Sequence, residues 1–214
     1  MRLQFDPNLD FQREAINAVV GLFEGQEVCS TNFTVMPLKY DPQSALPGME
    51  NDLGIGNRLR LLDEDIHSNV KAIQLRNGLA PSETFDSMDF TVEMETGTGK
   101  TYVYLRTIFE MNRLYGFTKF IVVVPSVAIK EGVYKSLQMT EEHFKGLYDN
   151  VQFDYFVYDS QKLGQVRNFA TSDYIQIMVI NIDAFRKSFT DPEKEDKANI
   201  IHRPHDRMTG SRPI

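Results

Sequence analysis

Apolar residues recur along this chain with two different periods, and the switch between them sketches an architecture. Phe11, Ala15, Ile16, Val19, Val20 and Phe23 follow Asp10 at helical spacing, so a first helix is expected from Asp10 with Gly25 as its stop. Periodicity then gives way to Pro37, Pro42, Pro47, Gly48, Gly54 and Gly56. These punctuate an irregular insertion over about 26–57, with one short strand at 33–36. Leu59, Leu62, Ile66, Val70, Ile73 and Leu75 restore the helical period over 58–75, closed by the Asn77-Gly78 turn.

The rest alternates regularly. Strands are expected at 90–94, 120–124, 153–158 and 174–182, with helices over 100–114 and from 126 to about 137. The run 120–124 is continuously apolar and rich in valine, which suits a strand buried on both faces of a parallel sheet. Strand, helix, strand, helix at these lengths predicts an α/β fold with a mostly parallel sheet flanked by helices. Residues 1–190 read as one domain, and 191–214, a charge run followed by a Pro- and Arg-containing stretch, reads as a linker.

One segment carries chemistry. Met94-Glu95-Thr96-Gly97-Thr98-Gly99-Lys100-Thr101 joins a short apolar run to the start of a helix through a turn with two glycines. Such a turn lets the backbone wrap closely around an anion, with N–H groups pointing inward and the helix N-terminus adding positive potential. Lys100 would reach β- and γ-phosphates, and the Thr101 hydroxyl would ligate Mg²⁺. Glu95, Thr96, Gly97, Thr98 and Gly99 complete the candidate phosphate site. Met94 stands where the strict P-loop pattern has glycine, but it closes the preceding strand rather than cradling phosphate. A glycine-rich turn without a ligand is the bland alternative, and the flanking strand and helix argue against it.

Glu95-Thr-Gly-Thr-Gly-Lys-Thr101, together with Gln12 in Leu9-Asp-Phe-Gln-Arg-Glu-Ala15, resembles the first RecA-like domain of superfamily 2 helicases and translocases. The resemblance is strongest to the Res subunit of type III restriction–modification enzymes. Val122-Val-Val-Pro-Ser-Val-Ala-Ile-Lys-Glu-Gly132 and Val179-Ile-Asn-Ile-Asp-Ala-Phe185 support it. It implies a RecA-like P-loop NTPase fold, ATP and Mg²⁺ as cofactors, and DNA and a DNA-modification (methyltransferase) subunit as partners. It also implies a parent enzyme that couples ATP hydrolysis to DNA translocation and cleavage. Gln12 then matches the glutamine that reads the adenine edge, a task an amide suits because it both donates and accepts. On residue type alone it could equally be a polar position on an amphipathic helix. Pro125 and Ser126 match a loop that holds the DNA backbone; alone they would be a strand terminator and an N-cap.

Such a motor also needs an acidic box after the P-loop. Leu61-Leu-Asp-Glu64 has the letters but precedes the loop and reads helical. Asp183 ends a strand, but Ala184 follows where Glu is wanted, so Asp183 reads as a cap for 184–188. Asp159 is weaker still. The box and the second RecA-like domain are therefore expected beyond Ile214, and this chain alone is expected to be inactive as an ATPase. Glu195-Asp-Lys197 matches a nuclease Glu-x-Lys by letters but reads as solvated linker. His202 and His205 flank Pro204 without a third metal ligand.

Composition narrows the setting. Lys+Arg 23 against Asp+Glu 30 gives a net charge of −7, which argues against a protein that coats nucleic acid electrostatically but not against one with a local basic groove. Cys29 is the one cysteine, so no intrachain disulfide or Cys-based zinc site can form, and a reducing, cytoplasmic location is expected. No apolar stretch reaches the ~18 residues of a membrane span. Two rivals share the P-loop: a small P-loop kinase, and a nucleotide-binding module without turnover. The first usually places its loop near the N-terminus, whereas 93 residues precede Met94 here.

Overall fold

A computed structural model of the chain describes residues 5–35, 52–159 and 162–183. These fall into two compact units of interleaved segments: residues 5–29, 58–117 and 139–151 form one, and 30–35, 52–57, 118–138, 152–159 and 162–183 the other. The Asp183 cap over 184–188, Glu195-Asp-Lys197, His202, His205 and the linker 191–214 lie outside the described residues.

The first unit is helical. In α1 (Asp10–Gly21), Gln12, Ile16 and Val20 recur every four residues and are the buried positions. The α2 helix (Asp63–Arg76) starts five residues later than its hydrophobic pattern suggests. The Asp65 carboxylate accepts the Leu62 N–H at 3.1 Å there, satisfying an amide that the first turn leaves open. Asp63 and Glu64 occupy the same first turn, where the helix dipole favours acidic groups. That accounts for the acidic pair of the Leu61–Glu64 letters without any metal. The Asn69 amide donates to the Leu22 and Glu24 carbonyls at 3.0 Å each, tying α2 to the end of α1.

Helix α3 (Lys100–Tyr115) is flanked by Gly99 and Gly116, both left-handed with φ of 84° and 71°. Leu105 and Phe109 are buried in its centre, and Phe109 meets Phe144 of α4 (Val127–Leu147) with ring centroids 4.6 Å apart. Burying each such side chain contributes about 2–3 kcal/mol. The α4 helix runs ten residues beyond the expected end near 137, because Thr140 and Phe144 extend its buried stripe.

One expected element is absent. Residues 90–94 form no strand, and Phe90 and Val92 stay 38% and 44% exposed. An apolar run becomes a strand only where a neighbour completes its hydrogen-bond ladder, and no described strand pairs with it.

The second unit supplies the sheet. Strands β3 (Lys119–Val124), β4 (Phe153–Val157) and β5 (Ile175–Asn181) are parallel in the order β3-β5-β4. The centre strand β5 is buried on both faces, with Ile175, Ile177 and Val179 fully inaccessible. Helix α5 (Leu163–Thr171), which the sequence pattern did not reveal, lays Phe169 against Phe156 and Met178 on one face. Tyr134 of α4 meets Tyr155 edge-on at 5.5 Å.

The start of the sheet on the α5 side carries a polar row, with Lys119, Gln176 and Asp154 in register. The Lys119 ammonium donates to the Ser172 carbonyl and lies 5.9 Å from the Phe169 ring centroid. Burial lowers its pKa to about 8, against a smaller opposing pull from Asp173. Gln176 is 1% exposed, and its Nε2 has no hydrogen-bond partner among the described residues.

The expected irregular insertion has regular ends. Strands β1 (Ser30–Val35) and β2 (Asp52–Asn57) pair antiparallel, with Phe33 opposite Gly54. The Phe33 ring covers Gly54 and Gly56, and a Cβ on Gly54 would collide with it. Asn57 joins this ribbon to β3: its Oδ1 accepts the Thr118 and Lys119 N–H groups at 2.8 and 3.0 Å, and its Nδ2 donates to the Lys119 carbonyl at 2.8 Å.

Candidate nucleotide-binding site

The turn from Glu95 to Gly99 leads directly into α3, so the free N–H groups of the first helical turn face the loop. Gly97 and Gly99 both have φ of 84°, a conformation that costs residues with a Cβ about 1 kcal/mol or more. Nothing lies within 4 Å of where a Gly97 Cβ would stand, so Gly97 serves the turn alone. Gly99 is tighter, because a Cβ there would sit 2.6 Å from the Gln12 amide nitrogen.

Two side chains close the loop on itself. The Thr98 hydroxyl donates to the Glu95 carbonyl at 2.7 Å, and the Lys100 ammonium donates to the same oxygen at 3.0 Å. Lys100 thus folds back over the turn and stays exposed, positioned to exchange a carbonyl for a phosphate oxygen. Thr101 is half-buried, and the nearby Tyr104 hydroxyl is raised above its usual range chiefly by burial, against a smaller opposing pull from Thr101. Left-handed glycines, backbone amides at a helix start, an exposed ammonium and a hydroxyl in the first helical turn together fit a phosphate chain with a divalent cation.

Gln12 is 7% exposed, and its Nε2 donates to the Thr98 carbonyl at 2.9 Å. The residue matched to base reading is therefore fastened to the phosphate loop itself. Sequence could not reveal this link, because its acceptor is a backbone oxygen.

The α3 helix also grips the chain on both sides of Gln12. Arg106 donates through Nη1 to the Pro7 carbonyl, and the Tyr115 hydroxyl donates to the Val20 carbonyl at 2.9 Å. Arg106 Nε donates to the Tyr148 hydroxyl at 3.3 Å, and that hydroxyl donates to Glu110 at 2.7 Å. Burial and the bond to Glu110 push the Tyr148 pKa up, so it remains a donor across the physiological range. Phe5 stacks on Tyr102 with centroids 5.9 Å apart, and the Tyr102 hydroxyl and His143 Nε2 share a hydrogen bond at 2.9 Å. Burial and the nearby Arg106 hold His143 below its ordinary range. The sequence signal for this cluster was the i, i+4 series Tyr102, Arg106, Glu110 on one helix face.

Pro125 and Ser126 belong to the second unit, between β3 and α4. Ser126 Oγ accepts the Ile129 N–H at 3.3 Å, an N-cap that leaves its hydroxyl hydrogen free to donate. Asn181 Oδ1 accepts the Asp183 N–H at 2.8 Å, closing a turn at the end of β5. Among the described residues, no group of three His, Cys, Asp or Glu could hold a metal ion. Nor is any described helix long and apolar enough to cross a membrane.

The family model described as "Type III restriction enzyme, res subunit" matches residues 9–203. The Res subunit of the type III restriction–modification enzyme EcoP15I of Escherichia coli is 30% identical over 206 residues, covering 87% of this chain and 20% of that protein. The EcoPI Res subunit of Escherichia phage P1 is 31% identical over 163 residues, covering 74% of this chain and 15% of the relative. The StyLTI Res subunit of Salmonella typhimurium is 38% identical over 90 residues, covering 41% of the chain and 9% of the relative. The chain thus spans about a fifth of the length of the E. coli protein or less of the others. The fold is the α/β, RecA-like P-loop type, with a parallel sheet flanked by helices.

Proposed function

The chain belongs to the type III restriction enzyme res-subunit family, and from that premise we propose that it binds Mg·ATP as the nucleotide-binding part of a helicase-like restriction subunit. The observation that carries this reading is the hydrogen bond from Gln12 to the Thr98 carbonyl, which unites a base-reading amide with a phosphate loop 86 residues away. Mg·ATP supplies the phosphoanhydride bond whose hydrolysis would drive movement in the parent enzyme.

The chain's own residues divide the work by chemistry. Amides of Glu95, Thr96, Gly97, Thr98 and Gly99 would line the phosphate chain, while Lys100 would neutralise its β and γ ends. The Thr101 hydroxyl would ligate Mg²⁺. Gln12 would select adenine through one donated and one accepted bond. Ser126 would hold a DNA phosphate with its free hydroxyl hydrogen, fixing position without reading sequence. Translocation along DNA, cleavage and association with a modification subunit would then belong to the whole enzyme.

The test is a titration of Mg·ATP against the chain and its Lys100→Ala variant. Loss of one charge-assisted bond is expected to weaken binding between roughly ten- and a hundredfold. Equal affinity in the two proteins would remove the phosphate role. Because no Asp-Glu pair ends a described strand after the loop, turnover by this chain should stay at the Lys100→Ala background even with DNA. A DNA-stimulated hydrolysis that Lys100→Ala abolishes would overturn that part.

A further inference from the structure

Gln12 sits at the start of a short helix, and its side chain is anchored on the Thr98 carbonyl. An amide on a helix end holds a fixed place only if the backbone leading into that helix is itself fixed. Here the fixing group comes from α3, the helix that begins at the phosphate loop. Arg106 grips the Pro7 carbonyl three residues before Asp10, where α1 begins. Its guanidinium is 12% exposed, held by Tyr148 on one side and 3.9 Å from Glu110 on the other. The linkage forms a closed ring: loop, α3, Arg106, Pro7, α1, Gln12 and back to the loop at Thr98.

We propose that Arg106 is a positioning residue for nucleobase recognition, acting through the Pro7 carbonyl to place the Gln12 amide over the phosphate loop. This rests on the nucleotide reading above and deepens it. A guanidinium is suited to the task because its rigid fork can serve the Pro7 carbonyl and the Tyr148 hydroxyl at once. Lysine would keep a donor for Pro7 but could not hold both partners in one plane. Tyr148 contributes at second hand, since its hydroxyl links Arg106 to Glu110.

The experiment displaces ribose-labelled mant-ATP from the 214-residue chain with ATP, GTP and inorganic tripolyphosphate in turn. The variants are Gln12→Ala, Arg106→Met, Arg106→Lys, Tyr148→Phe and the double Gln12→Ala/Arg106→Met. Arg106→Met is expected to shrink the ATP-over-GTP preference about tenfold while leaving tripolyphosphate affinity within about twofold. Arg106→Lys should restore part of that preference, and the double variant should lose no more than Gln12→Ala alone. If Gln12→Ala collapses the preference while Arg106→Met and Tyr148→Phe leave it intact, Arg106 serves the fold only and the proposal is wrong. If tripolyphosphate affinity falls in parallel with ATP affinity in Arg106→Met, the effect is on the loop as a whole, which also overturns it. If Gln12→Ala itself leaves the preference unchanged, the base-reading role fails first and takes the proposal with it. Should Arg106→Met not fold, as judged by circular dichroism, Tyr148→Phe decides, because it removes a single hydroxyl.

Discussion

Gln12 and Gln176 are buried to similar degrees, 7% and 1% exposed, and each lies in a different unit of the molecule. Gln12 spends its amide nitrogen on the Thr98 carbonyl. Gln176 has Lys119 and Asp154 beside it in register, yet its nitrogen has no partner among the described residues. Lys119 donates to the Ser172 carbonyl, and Asp154 accepts the Tyr174 hydroxyl at 2.7 Å. A buried amide whose donor is satisfied fixes its surroundings, whereas one left open costs about 1–3 kcal/mol of desolvation. The helical unit therefore uses burial of polarity for positioning, and the sheet unit bears it as a load.

The sharpest way to break this contrast is Gly99→Ala. The left-handed φ of 84° and the 2.6 Å approach to Gln12 would both be violated, so the glutamine must leave the Thr98 carbonyl. The expected result is a loss of stability of about 2–4 kcal/mol in urea unfolding and of nucleotide binding by more than about tenfold. A variant with wild-type unfolding would mean that the loop and Gln12 are not coupled.

Next in size is Lys119→Met. The pKa of about 8 lies below the ordinary 10.5, so the folded state binds fewer protons than the unfolded state between those values. Stability is accordingly reduced below pH 8 and rises as pH climbs from about 8 to 10.5. Removing the ammonium should raise stability at pH 7 by up to about 3 kcal/mol and flatten that slope. Thermal melts of both proteins at pH 7 and pH 9.5 check it, and a steeper slope in the variant would contradict the assignment.

The smallest effect is expected from Gln176→Met, which keeps the volume and deletes the unpartnered nitrogen. A gain of about 1 kcal/mol would mark the amide as a burden. A loss of that size would mean that the amide is held by an ordered water or a ligand.

Legibility in the sequence followed the range of the interactions involved. The runs 120–124, 153–158 and 174–182 appeared as β3, β4 and β5 because each finds its ladder inside the described chain. The run 90–94 has comparable letters and no ladder among the described residues, and letters alone could not distinguish the two cases. Lys100, Gly97 and Gly99 were readable because their chemistry is local to eight residues. The bond from Gln12 to a backbone oxygen and the grip of Arg106 on the Pro7 carbonyl have no letter of their own at the accepting end. Strand β1 was partly legible, expected at 33–36 and found at Ser30–Val35, but β2 was hidden because Gly54 and Gly56 read as breakers, whereas they make room for the Phe33 ring.

That aromatic cover has a practical consequence. Register in the β1–β2 ribbon is set by a ring seated on two glycines and by the carboxamide of Asn57 at its base. A strand slipped by one residue would turn Phe33 to the opposite face, away from Gly54 and Gly56. The ring and its two glycines thus act as a key that admits one alignment, and replacing Gly54 with even an alanine should blunt it.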